Sequence, residues 1–359
     1  MPTKTARKAT PKKDRVDAYK MAADAVLAAM ERGTIPWRMP WTQGPGAIPK
    51  NLTTGRPYRG INVFLLAMAG YPLPFWLTFK QAKDRGGMVR KGEKSTTAIL
   101  WKQTKKRLRT AAEVAQAKAD GLTVHHDQDG PYARLVLART FALFNVAQVD
   151  GLQDVPEVEQ IRQPEWGTED AAQAIVDGYQ DGPTLGEGGS RATYAPARDH
   201  VQMPDRGRFT AATDWHATLF HELAHSTGHE RRLNRPDLTG GHAFGSKGYA
   251  REELTAEMAA AMLCTVAGID TAPLIEQTAA YVQNWRRAIG EDPKLVVIAA
   301  QRAQKACDRI LGDEPTAQDA AASTSAACES CDGPGGTDLG HGPICPACVT
   351  LHERTEVAR

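Results

Sequence analysis

The segment HATLFHELAHSTGHERRL holds His221-Glu222-Leu223-Ala224-His225, the feature that most narrows what this chain can fold into. Histidines at i and i+4 share one face of an α-helix, so both imidazoles can reach a single metal ion. Glu222 is carried beside that ion, where its carboxylate can take a proton from an activated water as general base. The frame around the pattern is helical, no proline interrupts it, and Gly228 follows as a stop signal.

A zinc ion held this way needs a third protein ligand. A further histidine two turns on is excluded because Arg231 stands at that place, and Gly228 turns the chain before His229 can join. Downstream, YAREELTAEMAAAML puts Glu253 and Glu257 four residues apart on one face of a second helix. In isolation such a pair is a solvated helix face with ordinary ion pairs; beside HExxH, ligation becomes the better reading. In thermolysin-like gluzincins the second helix supplies a glutamate ligand, and a carboxylate four residues later braces a ligand histidine. By that likeness Glu253 binds the ion and Glu257 stands behind it, with the reverse assignment open. Tyr249, one turn before Glu253, is the first candidate to stabilise a developing oxyanion, with His229 and His242 behind it. For each, a structural hydrogen bond explains the residue equally well.

Charge divides the chain sharply. Residues 1–110 hold 23 Lys and Arg against 6 Asp and Glu, while the remainder holds 21 against 36. An excess that large repels itself unless something anionic is bound, and nucleic acid is the usual partner; a solvated basic face is the bland alternative. The basic residues interleave with aromatics: Trp37, Arg38, Trp41, Arg56, Tyr58, Arg59, Lys80, Arg90, Lys91 and Lys94 are the candidate contacts. Cations neutralise phosphates and aromatic faces stack on unpaired bases, so the mixture favours single strands. Trp76, Phe79 and Trp101 are expected mostly in the core.

Hydrophobic residues at 42% and charged residues at 24% fit a soluble globular protein, long enough for two domains. The basic opening MPTKTARKATPKKDR leads into no apolar run suited to a signal peptide or a membrane span, so a cytoplasmic location and no membrane partner are expected. Residues 1–14 form a basic tail, 15–151 a mixed α+β domain, 152–167 a linker, 168–312 the HExxH domain and 313–327 a low-complexity tether. Helices are expected over 16–30, 61–69, 212–225, 249–267 and 273–311, and strands over 76–82, 95–103 and 133–146. Residues 105–129 form a solvated excursion.

Six cysteines complete the picture. Cys264 and Cys307 lie in helical patterns as buried thiols. Cys328-x2-Cys331 and Cys345-x2-Cys348, with thirteen residues between the pairs, have the spacing of a zinc-ribbon-like module over 328–350, closed by four thiolates around a structural zinc. A redox dithiol pair is the alternative.

The segments GTIPWRMPW, NLTTGRPYRGIN, WLTFKQA, GGMVRKGEKST and FALFNVAQVDGL resemble the N-terminal single-stranded-DNA-binding domain of ArdC-type antirestriction proteins. The run HELAHSTGHERRLNR, with FGSKGYAREELTAE after it, is similar to the metallopeptidase-like domain that follows in that family. The resemblance covers about residues 15–311 and implies single-strand binding, protection of mobile DNA from restriction, and a zincin fold for the second domain. Two functions compete: a zinc metallopeptidase tethered to single-stranded DNA and acting on a protein substrate, or a coating protein whose metal is structural.

Overall fold

The computed structural model describes residues 17–38, 48–119, 122–156, 167–240, 246–270 and 279–313. The Asp17 carboxylate accepts from the Tyr19 and Lys20 N–H groups and so opens α1 (Ala18–Glu31). Ala18, Ala22, Val26 and Met30 give that helix one buried face. After a turn at Gly33, Pro36–Arg38 makes a single helical turn. Next come β1 (Lys50–Asn51), α2 (Ile61–Ala67), β2 (Phe75–Leu77) and α3 (Phe79–Asp84). The strand expected over 76–82 stops at Leu77. Thr78 Oγ1 accepts from Gln81 N–H while Gln81 Oε1 accepts from Thr78 N–H, and this reciprocal cap turns FKQA into a helix.

The chain continues through β3 (Met88–Val89), β4 (Thr96–Arg107), α4 (Ala111–Ala119), β5 (Val124–Asp127), β6 (Gly130–Asn145) and β7 (Val149–Asp150). One sheet runs β1-β2-β6-β4, with β5 also on β6; β1 is parallel to β2, and the other pairs are antiparallel. The described residues of 105–129 are mostly exposed, as expected of a solvated excursion, and they carry regular structure. β4 runs on to Arg107 opposite Tyr132, and α4 lays Ala117 against Leu108 and Ala133.

The second half comprises α5 (Thr168–Gly178), β8 (Thr184–Glu187), β9 (Thr193–Ala195), β10 (His200–Met203), α6 (Ala212–Ser226), α7 (Pro236–Thr239), α8 (Lys247–Ala267), α9 (Ala279–Glu291) and α10 (Lys294–Leu311). β10 lies parallel to β8 and antiparallel to β9. The helix expected over 273–311 is broken in two, because Pro293 has no N–H to give the preceding turn and its ring crowds that turn.

The fold is mixed α+β. One apolar cluster joins Val26, Trp37 and Phe64 from the first half to Leu219, Leu254, Leu263 and Val296 from the second, so helices of both halves share a core. Each large apolar side chain buried there contributes on the order of 1.5–3 kcal/mol. No described helix is long and apolar enough to cross a membrane.

Candidate metal centre

Helix α6 carries the two histidines. Asp214 accepts from the Ala211 N–H at 3.2 Å and caps its start, while Trp215, Leu219, Phe220 and Leu223 fasten one face in the core. The opposing helix α8 begins at Ser246, whose Oγ accepts from the Tyr249 N–H, and ends where Gly268 adopts φ +77°, a left-handed cap that a side chain would strain.

Side by side, these helices bring three groups together. Nε2 of His221 and Nε2 of His225 are 3.1 Å apart. Glu253 Oε1 lies 3.6 Å from Nε2 of His225, and its Oε2 3.8 Å from Nε2 of His221. Ligand atoms bonded at 2.0–2.1 Å around a tetrahedral ion are separated by about 3.3 Å, so this spacing fits one divalent ion. Among the described residues, His221, His225 and Glu253 are the one such cluster of possible ligands. Glu222, the neighbour of His221, is buried at 8% exposure.

Behind these candidate ligands stands a network that sequence reasoning missed. Glu252 Oε1 is 3.1 Å from Nδ1 of His225. A carboxylate can only accept, so Nδ1 carries a proton and Nε2 is the ring nitrogen available to a metal ion. Glu252 is held in turn by Arg235, through Nε at 2.8 Å and Nη2 at 2.6 Å. The same guanidinium donates to the Ala224 carbonyl at 2.8 Å and to Thr227 Oγ1 at 2.5 Å, closing the C-terminal end of α6. Gly228 leaves room for this guanidinium: a Cβ would meet it at 2.9 Å and displace it. Burial opposes the charge on Glu252, yet Arg235 and His225 hold its carboxyl below the usual range. Burial likewise opposes a charged His225, and Glu252, Glu253 and Glu222 outweigh it and raise the imidazole above its ordinary value. An acidic pair at 252–253 was the visible signal. The two side chains leave the helix about 100° apart, so Glu253 faces the Nε2 atoms of His221 and His225 and Glu252 faces Nδ1 of His225.

Glu257 takes a different place from its neighbour. Its Oε1 is 4.0 Å from Nδ1 of His221, and both of its oxygens accept from Arg38 Nη2, at 3.2 and 3.1 Å. Tyr249 is half-buried in the first turn of α8. His229 accepts from the Arg231 N–H. His242, Trp41 and Cys328, Cys331, Cys345 and Cys348 lie outside the described residues.

The expected nucleic-acid contacts separate into two groups. Trp37 and Tyr58 are each 1% exposed, so neither ring is open to a base. Arg38 is committed to Glu257, and Arg59 pairs with Asp308 on α10. Arg56, Lys80, Arg90, Lys91 and Lys94 are exposed, with Arg90 paired to Glu93 and Asp150. Trp76 is in the core and Trp101 is half-buried against Tyr19, but Phe79, expected inside, is 54% exposed. Its cap at Thr78 starts α3 at the surface, and its ring meets Phe144 edge-on at 6.4 Å.

Both halves of the chain match known proteins. The family model for the N-terminal domain of anti-restriction factor ArdC matches residues 16–136, and that for a zincin-like metallopeptidase matches residues 170–302. A DNA primase TraC of Escherichia coli is 40% identical over 303 residues, 82% of this chain; the chain spans only 27% of that longer protein. Crystal structures of the antirestriction ArdC protein from plasmid R388 superpose with TM-scores of 0.61 in the metal-free form and 0.60 in the Mn(II)-bound form. Their identities to this chain are 34% and 35%; the matches cover 82% and 83% of this chain, and 96% and 98% of theirs.

Proposed function

This chain belongs to the ArdC antirestriction family, and from that premise we propose that it is a metal-dependent peptidase joined to a single-stranded-DNA-binding domain, protecting incoming mobile DNA in the cytoplasm of the recipient cell. The observation that carries the reading is the convergence of His221, His225 and Glu253 beside Glu222. Two imidazoles and one carboxylate suit zinc, with one position left for water or substrate. A divalent ion held there would acidify water and polarise a peptide carbonyl.

The chain's own residues do the rest. Glu222 takes the proton of the attacking water as the new C–O bond forms, then delivers it to the leaving amine as the C–N bond breaks. Arg235 and Glu252 keep the His225 ring in the orientation that aims Nε2 forward. Tyr249 is the candidate donor to the developing oxyanion. For the nucleic acid, exposed Arg56, Lys80, Lys83, Lys91 and Lys94 supply cations, and the open face of Phe79 supplies a stacking surface.

Glu222→Gln in the full chain tests the enzyme reading. The variant is expected to bind the same ion and the same oligonucleotides as the wild type while losing proteolysis and antirestriction protection. Undiminished protection would make the ion structural and leave a DNA-coating protein.

A further inference from the structure

We propose that Arg38, carried by the amino-terminal half, is a positioning residue of the metal centre: it fixes Glu257 behind His221 and so ties the metal site to the DNA-binding half of the chain. The proposal rests on the reading of His221, His225 and Glu253 as metal ligands. In sequence Arg38 belongs to a basic, aromatic stretch and looks like a phosphate contact. In the fold it points inward, with its side chain 9% exposed and that of Glu257 11% exposed.

Three observations hold Arg38 in place. Its neighbour Trp37 is 1% exposed and meets Trp285 edge-on, with ring centroids 5.3 Å apart. The Arg38 guanidinium itself lies 5.9 Å from the Trp285 ring. Both Glu257 oxygens accept from it. Glu257 is thereby held with Oε1 4.0 Å from Nδ1 of His221, on the side of the ring opposite the nitrogen that faces Glu253. His225 has Glu252 and Arg235 in the corresponding role. Each histidine therefore has a carboxylate–arginine pair on its Nδ1 side, in hydrogen-bond contact at His225 and at 4.0 Å, ion-pair range, at His221. Arg235 comes from the same half as its histidine, and Arg38 comes from the other.

The sign of the effect separates bracing from bare electrostatics. Removing a positive charge beside a cation site would by itself tighten cation binding. Weaker binding in a variant that lacks Arg38 must instead come from loss of the hold on Glu257. Residues that orient metal ligands change affinity by about 10–100-fold when removed.

Mn(II) binding to the full chain, followed by electron paramagnetic resonance titration, is the test. Arg38→Met is expected to weaken Mn(II) about tenfold or more and Glu257→Gln to do likewise. The double variant should lose no more than the weaker single one, because both act through one carboxylate. Arg38→Lys, which keeps the charge but not the guanidinium, guards against misfolding and is expected to fall between wild type and Arg38→Met. Arg59→Met breaks another pair between the halves, Arg59 with Asp308. It should lower thermal stability and leave Mn(II) affinity unchanged, which a merely structural role for Arg38 would also predict of Arg38→Met. Unchanged or tighter Mn(II) binding by folded Arg38→Met or Arg38→Lys overturns the proposal. Absence of binding by the wild-type chain would overturn the ligand assignment itself, a different result.

Discussion

Replacing Arg235 with methionine removes the one cation that holds Glu252 by two nitrogens. The two side chains are each 5% exposed, so the charge left on Glu252 has little access to water. Breaking a buried ion pair from one side costs about 3–5 kcal/mol. The Ala224 carbonyl and Thr227 Oγ1 lose a donor at the same time. At about 2–4 °C per kcal/mol for a domain of this size, the melting temperature should fall by roughly 6–20 °C. His225 would also lose its fixed partner, and ion affinity should drop by about 10–100-fold. Thermal unfolding with chelator and with added divalent metal separates the two effects: the chelated protein reports the ion pair, and the increment on adding metal reports the site. Arg235→Lys keeps the charge but loses the fork and should fall between. A fall below about 2 °C with unchanged metal affinity would refute the reasoning, because a loss that small lies below one kcal/mol.

Other predictions concern separate parts of the molecule. Phe79→Ala should weaken single-stranded oligonucleotide binding by about 1–3 kcal/mol without changing its salt dependence, as measured by fluorescence anisotropy; wild-type affinity would place the stacking surface elsewhere. Lys83→Gln should instead lower the slope of log affinity against log salt by about 0.7 if that lysine contacts one phosphate. Glu253→Ala should abolish stable metal binding while leaving the far-ultraviolet dichroism of the helices intact. Asp237 is buried, and burial raises its carboxyl, but Arg251 and Arg302 prevail and hold it below the usual value. A lowered folded pKa contributes stability that is present above the unfolded value of about 3.9 and is lost as pH falls through the folded one. The melting-temperature gap between wild type and Asp237→Asn should therefore be full at neutral pH and shrink below about pH 4. A gap that widens on acidification would contradict the assignment.

The candidate ligands that helical periodicity brings together were legible without coordinates. His221, Glu222 and His225 follow from a spacing of four on one helix, and Glu253 from a second helix with the same period. Local rules also set where α1 and α6 begin and end. Short-range caps were harder: the box between Thr78 and Gln81 ends a strand and starts a helix, and with it Phe79 moves from core to surface. Pro293 likewise divides what periodicity alone joins.

What the sequence determined by itself was therefore chemistry within a turn or two of helix: which donors share a face, and which half of the chain is cationic. Which partner stands behind each histidine belongs to tertiary structure. Glu252 and Glu257 are both acidic residues of α8, yet one meets Arg235, seventeen positions earlier, and the other Arg38, more than two hundred away. Composition marks Arg38 and Trp37 as nucleic-acid contacts, and only the packing of α1, α2, α8 and α9 around them turns both inward. Periodicity is a property of one helix and is written along it; a pairing across the core depends on how separate helices dock, and no local spacing records that.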